Sequence, residues 1–374
     1  MGSEVVRIAL CVNHYHPLVG GAEEVSARIA NHFAQSHEVF VLTRRVRSRN
    51  HNDYRNLSII EYLPGDFSTF IEKLQTLNPD VIFVYSDVFD FFRHILTSSW
   101  KAKVFIALCG ANWIHRGNRN FANMFMRSLS NIKRIICHSK YERDYKLCSN
   151  ELTLPKTVVI PNGIDLNEFD SNTLSREDLA PTITGRRWVL NVSNFFPGKG
   201  QEHLIDLLSS IDNPKEIAYL QVSNDIEFPI GAALEIKWKK AVATRLDRLG
   251  ITTKLLKNLP RDQVVGFFKQ SNAFVFTSEK EVAPLVLLEA MASRLPWVSM
   301  DVGNALELKG GRVVKAVKNS EFHAIFDARV KDLMLGGLQY YFNTSSVVED
   351  GRKQIESTFN WDVILPQYSK LIEQ

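Results

Sequence analysis

Glu281 and Glu289 are separated by the apolar run Val282-Ala283-Pro284-Leu285-Val286-Leu287-Leu288 and followed by Ala290-Met291-Ala292. Pro284 suits a first helical turn, which places Glu281 on the loop leading in and Glu289 inside the helix. A carboxylate among apolar neighbours is costly unless it is hydrogen-bonded. Vicinal sugar hydroxyls would satisfy Glu289, and the helix start between the two acids could face phosphate oxygens. Two other roles fit the same residues: Glu281 as an exposed acid complementing the helix dipole, and Glu289 as half of an intramolecular salt bridge.

A second constellation is Asn191-Val192-Ser193-Asn194-Phe195-Phe196-Pro197-Gly198-Lys199-Gly200, which joins a strand to a helix beginning near Gln201. Lys199 there is either a compact charge for a diphosphate or a solvated loop lysine. A third is His14-Tyr15-His16-Pro17-Leu18-Val19-Gly20-Gly21, again between strand and helix. Gly20 and Gly21 would let backbone approach a ligand, with the helix N-terminus receiving an anion. The same pair also punctuates ordinary tight turns.

Elements able to position these residues alternate along the chain. Short β-branched runs fall at Val6-Val12, Val39-Leu42, Val81-Tyr85, Lys103-Leu108, Ile132-Cys137 and Thr157-Ile160. They resume at Trp188-Val192, Ile217-Val222, Thr252-Leu256, Ala273-Phe276 and Trp297-Met300, with amphipathic segments between them. Parallel strands need crossover helices, so the rhythm predicts an α/β protein with two parallel-sheet lobes. The polar stretch Asp170 to Arg187, with Pro181 and Gly185, reads as the linker. The expected domains are residues 1–180, 181–358 and a closing segment, 359–374.

A chain of 374 residues with 45% hydrophobic and 23% charged residues is an ordinary globular protein of about two domains. Cys11, Cys109, Cys137 and Cys148 form neither a CxxC pair nor a disulfide scaffold. No apolar run is long enough to span a bilayer, and no secretory leader is recognisable, so the expected location is cytoplasmic or peripheral on the cytoplasmic membrane face. The net charge of +4 is unevenly distributed. Lys101, Lys103, Arg116, Arg119, Arg127, Lys133, Arg134 and Lys140 lie in a stretch without Asp or Glu, and Arg44, Arg45, Arg47 and Arg49 form a second cluster. Trp113, Ile114, Phe121, Met124, Phe125 and Met126 interleave with the first set, as on a surface that meets an anionic leaflet. A solvated basic face over ordinary core residues is the alternative.

In the order of its landmarks the chain resembles the family-4 glycosyltransferases of the GT-B class. These landmarks are Pro17…Gly20-Gly21…Glu24, Ser139-Lys140-Tyr141-Glu142 followed by Ile160-Pro161-Asn162-Gly163-Ile164-Asp165, Pro197…Lys199-Gly200, and Glu281…Glu289. The resemblance implies a GT-B fold, two Rossmann-like lobes with parallel sheets facing a central cleft. It also implies a retaining hexosyltransferase that takes its sugar from a nucleotide-sugar donor. Lys199 would pair with the diphosphate, Glu289 with the ribose hydroxyls and Glu281 with the donor sugar. Gly20 and Gly21 would leave room for the distal phosphate and the acceptor. Phe359-Asn360-Trp361…Tyr368 resembles the segment that returns to the N-terminal lobe.

Three positions depart from the family pattern. Asn194 stands where an arginine is usual, so half of a cationic clamp is missing, and an arginine introduced there is expected to be tolerated. Val282-Ala283-Pro284 replaces Gly-Phe-Gly, leaving Ala283, Leu285 or Val286 as amide donors because proline has no N–H. Cys109, in Cys109-Gly110-Ala111-Asn112, replaces a histidine, with His14 or His115 as substitutes and Asn112 nearby on the acceptor side. The expected acceptor is a glycan, lipid-linked or small molecule, membrane-linked or anionic. No metal site or cofactor is expected, the nucleotide sugar being a substrate, and nucleic acid is not expected as a partner. The competing readings are a non-catalytic GT-B subunit that binds a sugar nucleotide or partner, and an epimerase or phosphorylase on the same fold.

Overall fold

A computed structural model describes residues 5–46, 49–50, 56–63, 65–86, 94–110, 123, 125–183, 185–225, 229–319, 323–343 and 347–373. The chain divides into two compact units, Met1–Asn162 with Asp362–Gln374, and Gly163–Trp361. The first carries β1 (Arg7–Val12), β2 (Glu38–Arg44), β3 (Ser58–Tyr62), β4 (Val81–Ser86), β5 (Lys103–Leu108), β6 (Ile132–Cys137) and β7 (Thr157–Val159). The second carries β8 (Arg187–Val192), β9 (Ile217–Ser223), β10 (Thr252–Lys257), β11 (Ala273–Phe276), β12 (Trp297–Met300) and β13 (Gly311–Val314). Helices that bear or brace functional side chains are α1 (Gly21–Phe33), α2 (Leu166–Asp170), α3 (Gln201–Leu208), α4 (Arg261–Gln270), α5 (Leu285–Ala292) and α6 (Trp361–Glu373).

The first sheet runs β3-β2-β1-β4-β5-β6-β7 and the second β10-β9-β8-β11-β12-β13, with parallel pairing throughout. Both orders are Rossmann-like, so the predicted pair of α/β lobes is correct. Central strands covered on both faces read as continuous apolar runs: every residue of β9 and β11 is buried. The strand order of each sheet reverses beside its first strand, between β1 and β4 and between β8 and β11. Ligands of such sheets bind outside the carboxyl ends of the strands at these switch points.

Asn162 closes the first unit, earlier than the expected boundary near residue 180. The polar stretch after it is tied into the second unit: Lys269 Nζ donates to Phe169 O at 2.7 Å, and Arg176 Nη2 donates to Gln270 O at 2.6 Å. Gly163 lies in close contact with Trp361, whose ring would be 2.5 Å from a Cβ at that position. Ile164 N donates to Phe359 O at 2.7 Å and Trp361 N to Ile164 O at 3.1 Å, so these two distant segments run together. Beyond them α6 packs into the first unit, where Tyr368 meets Phe83 edge-on and Ser369 Oγ lies 2.8 Å from His32 Nε2.

Candidate functional site

The second unit's site is built at its switch point. The chain leaves β8 through Asn194 and reaches Gly198 and Gly200, whose φ angles of 83° and 69° favour glycine. A Cβ on Gly200 would sit 2.0 Å from Thr277 O, so a larger residue is also excluded sterically. From the neighbouring β11, Thr277 Oγ1 donates to Gly200 O at 2.6 Å and Glu279 N donates to Gly198 O at 2.7 Å. The two loops are thereby clamped together. Lys199 Nζ lies 2.7 Å from Glu281 Oε1, which also accepts from Ser278 Oγ at 2.7 Å.

Pro284 is the N-cap of α5, one position ahead of the predicted first turn, and no side chain caps the helix. Among the described residues, the first-turn amides of Leu285 and Val286 receive no cap from the Pro284 side chain, as suits a helix start that binds an anion. The preceding loop is braced by Gly303, at φ 53°, where a Cβ would lie 2.4 Å from Val282 O. Glu289 is buried within α5 and paired through Oε1 with Arg261 Nη1. Arg261 Nε also donates to Glu168 Oε2 at 2.8 Å. Desolvation works against the guanidinium's charge, but Glu289 and Glu168 outweigh it and raise the pKa above the ordinary arginine value.

Asn194 has a different role from the clamp whose position it occupies. Its Oδ1 accepts the Asn224 N–H at 2.8 Å, so the side chain secures the start of the following β9 loop. An arginine would remove that acceptor, a structural cost that the sequence did not reveal.

In the first unit, Gly20 is the uncapped N-cap of α1, in extended backbone, and the Glu23 carboxylate lies where a Cβ on Gly20 would point. His14 is half-buried at the start of the loop that follows β1. Cys109 follows β5, half-buried, with its Sγ 3.8 Å from Ala107 O. Gly110 N donates to the buried Asp144 at 2.6 Å. Asn112 and His115 lie outside the described residues, as do Arg47, Trp113, Ile114, Arg116, Arg119, Phe121 and Met124.

Arg49 is removed from the predicted surface cluster. Its buried guanidinium pairs with Glu61 and donates to His16 O at 2.8 Å and Tyr15 O at 3.2 Å, holding the loop before Gly20. Phe125 is core, and Met126 packs against that core, so neither belongs to an interfacial stripe. His138 was not singled out from the sequence. Burial pushes its pKa down to about 4, although a bond to Ile160 O opposes the shift. Nδ1 lies 3.0 Å from Ile160 O, which assigns it the proton, and Nε2 accepts from Tyr85 Oη at 3.2 Å.

Residues 19–168 match the family model described as Glycosyltransferase Family 4, and residues 180–321 the model described as Glycosyl transferases group 1. The chain belongs to the family-4 glycosyltransferases. It is 22% identical over 183 residues to the phosphatidylinositol N-acetylglucosaminyltransferase GPI3 subunit of Saccharomyces cerevisiae, a match covering 48% of this chain and 38% of that one. It is also 22% identical to N-acetyl-alpha-D-glucosaminyl L-malate synthase of Bacillus anthracis, over 78% of this chain and 79% of the relative. The solved structure of Anabaena Alr3699/HepE in complex with UDP superposes with TM-score 0.76 at 17% identity, covering 98% of this chain and 99% of that one.

This glycosyltransferase thus brings Lys199 and Glu281 into direct contact and places Glu289 on the helix that starts after Glu281. The sequence reading missed Ser278, Gly303, Arg261 and Glu168. Arg261 carried a weak signal, a cation at a helix start just after Pro260; the others are recognisable only through tertiary contacts.

Proposed function

We propose that this glycosyltransferase moves a hexosyl group, with retention, from a nucleotide-sugar donor held on the second unit to an acceptor met by the first. The observation that carries the reading is the origin of Lys199 and Glu281 at the ends of β8 and β11, the adjacent strands at the sheet's switch point. The ammonium is paired with Glu281. A donor diphosphate would take that cation and the amides of Ala283, Leu285 and Val286, leaving Glu281 to the sugar and Glu289 to the ribose.

As the bond from the anomeric carbon to phosphate breaks, its electron pair goes to the phosphate oxygen and positive charge develops on the sugar. Lys199 and the α5 amides stabilise the departing anion. The acceptor oxygen attacks from the face the phosphate leaves, and its proton passes to the phosphate oxygen, so the anomeric configuration is kept. Gly20, Gly21, His14 and Cys109 are the acceptor-side group. With Lys199 and backbone amides supplying positive charge, transfer requires no divalent cation, and chelator should leave the rate unchanged.

The acceptor class is anionic or membrane-linked. Lys101, Lys103, Arg127 and Lys140 are exposed in a stretch without Asp or Glu, and the relatives' names specify phosphatidylinositol and L-malate, both anionic. Co-sedimentation tests the membrane arm: binding should grow with anionic lipid and fade with salt. Equal binding to neutral and anionic vesicles would contradict it. The reaction is tested by incubating UDP-, GDP-, ADP- and dTDP-hexoses with the enzyme and following nucleoside diphosphate release; UDP-glucose is first, since the Anabaena neighbour has been solved with it. Release with one donor supports catalysis. Binding without release, with or without acceptor, would instead mark a non-catalytic subunit.

A further inference from the structure

Glu289 sits in a polar chain that extends beyond the donor site. Arg261, the first residue of α4, takes Glu289 Oε1 on one side and Glu168 Oε2 on the other, and its guanidinium carbon lies 5.6 Å from the Phe169 ring centroid. Among the described residues Glu289 Oε2 has no hydrogen-bond partner, although the side chain is only 9% exposed. Oε2 is nevertheless not sealed from solvent, so a ligand hydroxyl can reach it.

The backbone on both sides of the chain is fixed. Arg352 donates to Ala292 O, at the end of α5, at 2.9 Å and to Asp170 Oδ2, at the end of α2, at 2.7 Å. Helices α2 and α5 are therefore bridged twice, by Arg352 and by Arg261. The double bridge limits how far Glu289 can swing when a ligand arrives.

We infer that Arg261 is a positioning residue for ribose recognition: anchored by Glu168 and Phe169, it holds Glu289 by Oε1 so that Oε2 is left to accept from the ribose hydroxyls. The inference rests on the assignment of Glu289 to the ribose. Arginine suits the task because its planar fork engages two carboxylates at once, which an ammonium cannot reproduce with the same geometry. Without the guanidinium, a buried carboxylate would lose its neutralising partner and its fixed rotamer together.

The test is isothermal titration of parent, Arg261→Gln, Arg261→Lys, Glu168→Gln and Glu289→Gln with UDP, GDP and ADP. The tightest binder is carried forward together with its 2′-deoxy counterpart. The parent should prefer the ribonucleotide, and Glu289→Gln should erase that preference. Arg261→Gln should weaken the ribonucleotide about tenfold and leave the 2′-deoxy nucleotide within about twofold, as expected for loss of one well-placed charge-assisted hydrogen bond. Arg261→Lys should recover part of the loss, and Glu168→Gln should show a smaller loss of the same kind.

Equal weakening of both nucleotides by Arg261→Gln, or no weakening of either, overturns the positioning role while leaving the ribose assignment standing. A parent that does not distinguish the two sugars, or a Glu289→Gln variant that still does, overturns the ribose assignment itself. Melting temperatures identify any variant that fails to fold; if Arg261→Gln does, Arg261→Lys and Glu168→Gln carry the same comparison.

Discussion

The Asn194 side-chain oxygen accepts the backbone N–H of Asn224 at 2.8 Å, while the Asn194 main-chain oxygen accepts from Gln201 Nε2 at 2.9 Å. One residue thus joins the loops after β8 and β9 to the start of α3. Asn194→Arg should lower the unfolding free energy, read from the urea midpoint, by about 1 kcal/mol for a part-buried amide left unpaired, without tightening donor binding. Asn194→Asp keeps the acceptor and should stay near the parent. An arginine variant with an unchanged midpoint and higher donor affinity would contradict this account.

Lys199→Ala removes the cation from the switch-point loops and leaves the largely buried Glu281 with the Ser278 hydroxyl but no counter-charge. We expect kcat/KM to fall by roughly 10- to 100-fold, the worth of a charge-assisted contact to the leaving group. The loss should appear in both kcat and nucleotide affinity. Steady-state kinetics with the preferred donor decide it, and full activity would remove Lys199 from the site.

Gly303→Ala tests whether the loop carrying Val282 and Ala283 must sit where it does. Its positive φ alone costs alanine about 1–2 kcal/mol, and the Cβ would press on Val282 O. Donor affinity should fall along with the urea midpoint, because the displaced loop leads into the α5 amides. Unchanged donor affinity in a destabilised variant would separate this loop from donor binding.

His138 sets a pH dependence. Its folded pKa of about 4 is below the unfolded value of 6.5. The unfolded chain binds the proton first as pH falls, so the stabilisation is complete above about 6.5 and is lost progressively down to about 4. The whole contribution is about 3 kcal/mol. His16 and His32 are also shifted down by burial and add in the same direction. Urea midpoints from pH 7 to 5 should drop less in His138→Gln than in the parent; equal slopes would contradict the assignment.

Most of the strands legible in the sequence were the buried ones, because continuous β-branched and aromatic runs as short as Ile132–Cys137 and Ala273–Phe276 suit a covered strand far better than a helix; the partly buried edge strands β7 and β10 were legible from their β-branched starts. β3 and β13, which were missed, each lie at a sheet edge and are short and only partly buried, and β13 begins with Gly311-Arg312, which gives no strand signal. The polar segment after Asn162 resembled a linker because its charges carry no mark of what they bind, yet Arg176 is held by Gln270 and Asn272 of the second unit. Within the site, Glu281, Glu289 and Lys199 stood out because each lies in a short stretch, Glu281…Glu289 or Pro197…Lys199-Gly200, that carries the resemblance to the family. Arg261 was not, since its meaning depends on Glu168 and Glu289, which are remote in sequence and meet only once the second sheet has formed. Arg49 misled for the converse reason: four nearby arginines suggest a surface, and only the fold shows one of them buried on Glu61.

The central claim is that the second unit binds a nucleotide sugar through Lys199 and the α5 start. Thermal shift of the parent and Lys199→Ala with UDP-, GDP-, ADP- and dTDP-sugars tests it most directly, because a ligand that binds only the folded state raises the melting temperature by mass action. The account predicts a concentration-dependent rise for one nucleotide class in the parent and its loss or sharp reduction in Lys199→Ala; no rise with any donor, or an equal rise in both proteins, would contradict it.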